Sequence, residues 1–91
     1  MFLGKVIGSV WSTQKETGME TLKLLIVQPF DANGGACGQL VVAADRIGAG
    51  VGERVIVSQG TPARTVLGSK ESPVDAVIIG IVDSYEVSTG I

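Results

Sequence analysis

Residues 76–82 read AVIIGIV, and this stretch decides the fold. Valine and isoleucine favour strands, and a short apolar run that follows Pro73 and ends at Asp83 indicates a β-strand. A strand with one face in water alternates apolar and polar residues, whereas here both faces are apolar. The run therefore predicts a strand that is covered on both sides.

Glycine and proline divide the rest of the sequence into similar short runs. The sequence predicts five strands, at Phe2–Ser12, Thr21–Gln28, Gln39–Ala44, Glu53–Ser58 and Val74–Val87. A short helix is predicted before the last strand, with the Thr61 hydroxyl as its N-cap, Pro62 at its first helical position, Ala63–Leu67 as its body and Gly68 as its end.

This order of elements predicts an all-β fold, a small five-stranded OB-like β-barrel with one short helix before the last strand. No linker or repeat divides the sequence, so residues 1–91 are predicted to form a single domain.

The second strand adds to the argument about apolar faces. Leu22, Leu24 and Ile26 form one face of it, and the other face also turns apolar at Leu25 and Val27. The interior of so small a barrel covers only one face of each strand. One interpretation is a central strand covered on both sides by its own domain. The other, which we favour, is a subunit interface with a second copy of the chain.

Composition limits the classes of function. The chain has 91 residues, seven lysines and arginines, nine acidic residues, no histidine and one cysteine, Cys37. It has four aromatic residues and no basic cluster, which argues against nucleic-acid binding. No uncharged run approaches the roughly 20 residues that span a bilayer, and no leader pattern precedes the first strand. We expect a cytoplasmic protein with no membrane partner. Because a domain of this size has a marginal core, we expect it to form oligomers.

No constellation of residues indicates catalysis. Histidine, the usual general base, is absent, and no serine lies in a nucleophile motif. A zinc or iron site lacks ligands, and Asp31, Asp45, Asp75 and Asp83 show no calcium-loop spacing. We therefore expect no enzyme activity, no catalytic residues, no metal and no cofactor.

A glycine-rich segment, IGAGVGE at residues 47–53, is the sharpest local motif. Such segments can bind phosphate through backbone N–H groups. The nucleotide-binding versions are followed by a helix, however, and here a predicted strand follows. The alternative is a tight connection in which glycine permits the close approach of another backbone, as near a symmetry axis.

Five stretches together resemble a known family. They are KVIGSVWSTQK (5–15), KLLIVQP (23–29), VAADRIGAGVGE (42–53), GTPAR (60–64) and PVDAVIIGIVD (73–83). In this order and spacing they resemble the vertex subunits of bacterial microcompartment shells, a family shared by carboxysomes and ethanolamine-utilising compartments. The resemblance covers nearly the whole chain. It departs from the family at Thr61-Pro62, where serine and alanine are expected, and at 31–38, to which no role is carried over.

The resemblance implies a structural protein that uses no cofactor. Family members fold as OB-like barrels and assemble as pentamers, which cap the vertices of a polyhedral shell tiled by hexameric and trimeric proteins of another fold. An OB-type nucleic-acid- or ligand-binding domain is the alternative function. The sequence itself does not decide between five and six copies.

Six residues are predicted to lie at an oligomer or shell contact, or near the pore: Gly48, Ala49, Gly50, Val51, Gly52 and Arg64. The glycine-rich segment would lie near the fivefold axis or against a neighbouring shell protein. Arg64 would form a salt bridge between subunits, or it is an ordinary arginine that is solvated or pairs with its own chain, for example with Asp75 or Asp45.

Overall fold

The structure is a computed structural model, which describes residues 1–10, 23–67 and 74–85. These residues contain, in chain order, β1 (Phe2–Val10), β2 (Lys23–Pro29), β3 (Val41–Asp45), β4 (Arg54–Gln59), α1 (Thr61–Val66) and β5 (Ala76–Ile81). The strands close into one barrel in the order β1-β2-β3-β5-β4. The predicted fold class, an all-β five-stranded barrel with a short helix before the last strand, is confirmed.

The pairing between strands explains the position of the helix. Each neighbouring pair is antiparallel except β3 and β5, which run parallel with Ala44 opposite Val77 and Asp45 opposite Ile78. Parallel strands need a crossover connection. The connection from β3 to β5 runs through β4 and α1, so the helix lies outside the barrel beside the strands that it joins.

The strand boundaries differ from the predicted ones mainly in β5. This strand ends at Ile81, although the sequence predicted a strand through Val87. The early end of β5 is explained by β4, the strand that pairs with it. β4 begins at Arg54, whose carbonyl accepts the last ladder bond from the Val82 N–H at 2.8 Å, so residues 83–85 lie beyond the start of their partner strand. β3 begins two residues later than predicted. The predicted ends at Ser12, Thr21 and Val87 lie outside the described residues.

One core fills the barrel interior. Its buried members come from every strand and include a residue of the glycine-rich segment: Val6, Leu25, Val27, Ala43, Ala49, Val55, Val57, Ala76 and Ile78. These side chains are small or medium in size, which suits the narrow interior of a five-stranded barrel. The low aromatic content of the sequence therefore has a structural reason.

A second core lies outside the barrel, beneath α1. Leu24, Ala44 and Val77 on the outer face of the sheet pack against Ala63 and the segment at Val74. The expectation that the barrel could cover only one face of its strands was therefore wrong in part. The chain's own helix covers the outer face of β5 at Val77, although this cover ends before Ile79, which is exposed.

The N-terminus of α1 also corrects a prediction. The N-cap is Gly60, with φ of 74°, and Thr61 is already helical, so its hydroxyl makes no capping bond. The Gly60 N–H donates to the carbonyl of Asp75 at 2.7 Å, which fixes the chain at this turn. Pro62, which was predicted to be the first helical residue, is therefore the second, after Thr61. The predicted stop at Gly68 lies outside the described residues, and Leu67 is the C-cap.

Candidate functional site

The glycine-rich segment begins in a turn that Asp45 builds. Its Oδ1 atom accepts hydrogen bonds from the backbone N–H groups of Ile47 and Gly48, both at 3.1 Å. Asp45 is buried, and its Oδ2 lies 3.6 Å from Lys23 Nζ with no hydrogen bond of its own. Lys23 Nζ also donates to the carbonyl of Ala49 at 3.3 Å. This ion pair holds the start of the segment against the end of the barrel.

The second half of the segment is attached to β1. The Gly52 N–H donates to the carbonyl of Val6 at 2.8 Å, and the Val6 N–H donates to the carbonyl of Glu53 at 2.9 Å. A turn joins these bonds to the first half, because the Gly50 N–H donates to Glu53 Oε1 at 2.6 Å. The N–H groups that a phosphate would need are therefore occupied at positions 48, 50 and 52, which argues against the phosphate interpretation.

The five predicted contact residues of this segment differ in exposure. Ala49 is 1% exposed, and its side chain packs in the barrel core. Val51 is 67% exposed at the tip, Gly48 and Gly52 are exposed with positive φ of 87° and 94°, and Gly50 is half-buried. Ala49 thus anchors a segment in which Gly48, Val51 and Gly52 are presented to solvent. Their role in an oligomer or shell contact stays a prediction.

Arg64 lies in α1, and its side chain is outside what the structure describes. The predicted salt bridge stays a prediction. The helix that carries Arg64 is anchored at its other end, where Arg46 Nη1 donates to the carbonyl of Val66 at 2.6 Å. This bond satisfies one of the carbonyls that a helix C-terminus leaves without a partner.

An exposed apolar patch begins at Ile47, the first residue of the glycine-rich segment. It consists of Ile47, Val66 and Ile79, which are 48%, 47% and 39% exposed and line a shallow depression of about 400 Å³ with Arg46 at its side. We call these three residues the apolar patch. The sequence indicated Ile79 through the run in β5, but it missed Val66, because only the fold brings the end of α1 beside β5.

The described residues also bear on the excluded chemistry. Across 1–10, 23–67 and 74–85 no three histidine, cysteine or acidic side chains lie close enough together to hold a metal ion. Among the same residues no helix is both long and apolar enough to cross a membrane.

Comparisons with known proteins agree on one family. The family model described as "Ethanolamine utilisation protein EutN/carboxysome" matches residues 1–83. The carboxysome shell vertex protein CcmL of Gloeobacter violaceus is 48% identical over 87 residues, covering 96% of this chain and 87% of the relative. The microcompartment shell vertex protein EutN of Escherichia coli is 44% identical over 90 residues, covering 99% and 93%.

A solved structure extends the similarity to three dimensions. The pentameric microcompartment shell protein GrpN from Rhodospirillum rubrum is 43% identical, covers 97% of this chain and 99% of its own, and superposes with a TM-score of 0.85. Sequence, fold and length therefore agree, and the named relatives are structural shell proteins rather than enzymes. The chain belongs to the EutN/CcmL family.

Proposed function

We propose that this protein is a structural subunit without catalytic activity, which forms pentamers that cap the vertices of a polyhedral bacterial microcompartment shell. The observation that carries the proposal is similarity over nearly the full length to proteins named as shell vertex proteins. The alignments with these two relatives span 96% and 99% of this chain, so they run through the connections as well as the strands. An identity of 44–48% over this extent favours a shared assembly rather than a shared fold alone.

The apolar patch supports the assembly part of the proposal. A closed ring joins two different surfaces of neighbouring subunits, and each must lose water on contact. Ile47, Val66 and Ile79 offer such a surface on the outside of the barrel, since neither core of the chain buries them. The partner in this contact is a second copy of the chain.

The wider partners follow from the same proposal. A vertex subunit contacts the hexameric and trimeric proteins that tile the shell, inside the bacterial cytoplasm. The exposed residues Gly48, Val51 and Gly52 of the glycine-rich segment, with the half-buried Gly50, are proposed to lie near the fivefold axis or against a neighbouring shell protein. The charge balance of the chain, −2, does not favour the nucleic-acid-binding alternative.

Native mass spectrometry tests the proposal directly. The purified protein is expected to give a species of five subunits that persists on dilution. Co-expression with a hexameric shell protein is then expected to give closed polyhedral shells, and shells without this protein are expected to have open corners. A stable monomer or a six-subunit ring would contradict the proposed pentamer.

A further inference from the structure

The outer surface of β1 and β4 carries two cations that no described carboxylate neutralises. Lys5 and Arg54 lie directly opposite each other in the antiparallel register, and both are exposed. The ion pair within 4.0 Å that the described residues contain joins Lys23 and Asp45 instead. Like charges that face each other across two strands destabilise a sheet. An anion between Lys5 and Arg54 would remove this repulsion.

The two cations line a cleft of about 340 Å³. Its walls are largely apolar and come from Ile7, Phe30, Ala36 and Tyr85. Ligand sites are typically concave and mostly apolar with a few polar groups that fix orientation, and this volume is at the small end of their range. The size fits a small molecule, and the apolar walls favour an organic anion over an inorganic one.

Arg54 is held in place before any ligand arrives. Its Nη2 donates to the carbonyl of Asp83 at 2.9 Å, and its guanidinium lies over the ring of Tyr85, 5.6 Å from the centroid. Tyr85 in turn packs against Phe30, with ring centroids 5.9 Å apart. A guanidinium carries five N–H donors, so the bond to Asp83 leaves others for a carboxylate. A side chain that is already ordered loses little entropy on binding.

The loop that carries Ala36 is also held in place without a ligand. Asp31 Oδ1 accepts hydrogen bonds from the N–H groups of Asn33 and Gly35 at 2.9 and 3.0 Å, which fixes the loop that follows Phe30. Phe30 and Ala36 form a β-bridge across the neck of this loop. The segment 31–38, to which the family resemblance gave no role, thereby holds two of the apolar wall residues in position.

We propose that this cleft binds a small organic carboxylate. Lys5 and Arg54 contact the carboxylate, and Phe30 and Tyr85 contact its apolar body. The inference does not depend on the proposed vertex function, because each residue that carries it belongs to a single subunit. It adds a ligand site to a chain whose relatives are named as shell vertex proteins.

Benzoate, a carboxylate on a flat apolar body, is a suitable probe. It would be titrated into the isotope-labelled protein in its natural oligomeric state, while the backbone amide resonances are followed by NMR. Saturable shifts are expected at Ile7, Phe30, Ala36 and Tyr85. Lys5→Gln and Arg54→Gln should each weaken binding by about tenfold or more, because each removes a charge-assisted contact. Arg46→Gln, which makes the same change of charge outside the cleft, should leave the affinity unchanged.

Several results would overturn the proposal. Shifts that do not saturate, or equal affinity in the Arg54→Gln and Arg46→Gln proteins, would show that no site exists here. Binding of inorganic phosphate as tightly as benzoate would show a general anion site without a role for the apolar walls. Native masses of the variants complete the test. If Lys5→Gln or Arg54→Gln breaks the oligomer and leaves benzoate affinity unchanged, the two cations serve a subunit contact instead.

Discussion

Asp45 shows how one side chain can position a whole segment. Its side chain is fully buried, with Oδ1 accepting bonds from the backbone of the glycine-rich segment and Oδ2 facing Lys23. An aspartate directly before a glycine-containing turn is a recognisable signal for such a bond. The ion pair with Lys23 had no sequence signal, because it depends on the pairing of β2 with β3, which places the two residues opposite each other.

Replacing Asp45 separates these two roles. Asp45→Ala removes the acceptor for Ile47 and Gly48, and we expect it to lower the free energy of unfolding by about 2 kcal/mol. Asp45→Asn keeps a carbonyl oxygen for the turn and loses only the charge, so we expect a smaller loss. Urea denaturation at one fixed protein concentration measures both, since the stability of an oligomer depends on concentration. Equal losses in the two variants would show that the ion pair, not the turn, holds the segment.

Gly4 is a second position where one residue limits the barrel. It is buried in β1, and a Cβ at this position would overlap the Cγ1 atom of Val27. Gly4→Ala is therefore expected to lower stability by about 1–3 kcal/mol, because the filled interior cannot take another methyl group. Thermal denaturation followed by circular dichroism measures the change.

Gly8→Ala in the same strand is the matched control. The nearest atom to its Cβ would be Ile26 Cδ1 at 3.6 Å, which is ordinary contact. We expect this variant to be unchanged or slightly more stable, because alanine restricts the unfolded chain. A loss at position 8 as large as that at position 4 would show that the flexibility of β1, rather than space beside Val27, requires glycine.

At the scale of elements, the sequence predicted the strands well because each is a short run between glycine or proline breaks. It predicted less well where an element depends on a partner. The length of β5 is set by the start of β4, and the cover over Val77 is set by where α1 packs. The candidate site follows the same rule. The sequence indicated Ile79 through the apolar run of β5. It did not indicate Val66, which lies in the apolar patch only because the fold places the end of α1 beside β5.

The apolar patch yields a prediction about assembly. Ile79→Lys places a charge at the centre of the proposed contact, where it would be buried without a partner, so we expect the ring to dissociate. Leu40→Lys is the control, because Leu40 is more exposed than Ile79, at 53% against 39%, and lies outside the patch. Native mass spectrometry compares the two. Circular dichroism shows whether each barrel still folds. A persistent ring with folded Ile79→Lys would place the subunit contact elsewhere.

For the whole molecule, the similarity to the family and the physical features of the chain both predict the barrel. Only the similarity predicts how many subunits assemble. The barrel follows from local patterns and from the filled interior. The number of subunits in a closed ring depends on the angle between the two contact surfaces of each subunit. Residue patterns in the sequence of one chain do not predict that angle. This is why the sequence alone left five and six copies open, and why the pentamer is proposed from the relatives.

The glycine-rich segment offers a test at this scale, because its conformation is already fixed within the subunit. Gly50 is half-buried, and a Cβ there would lie 3.4 Å from Glu53 Oε1, so small side chains fit. Gly50→Ala should therefore leave both the barrel and the shell intact. Gly50→Phe should still fold as a barrel. It should impair pentamer assembly or the closure of shells, because the phenyl group would project where the backbone of another subunit approaches. Native mass spectrometry reports the ring, and electron microscopy of co-expressed shells reports closure. Shells that close normally with Gly50→Phe would show that the segment is not a contact, and that its glycines serve only the turn that Asp45 and Glu53 hold in place.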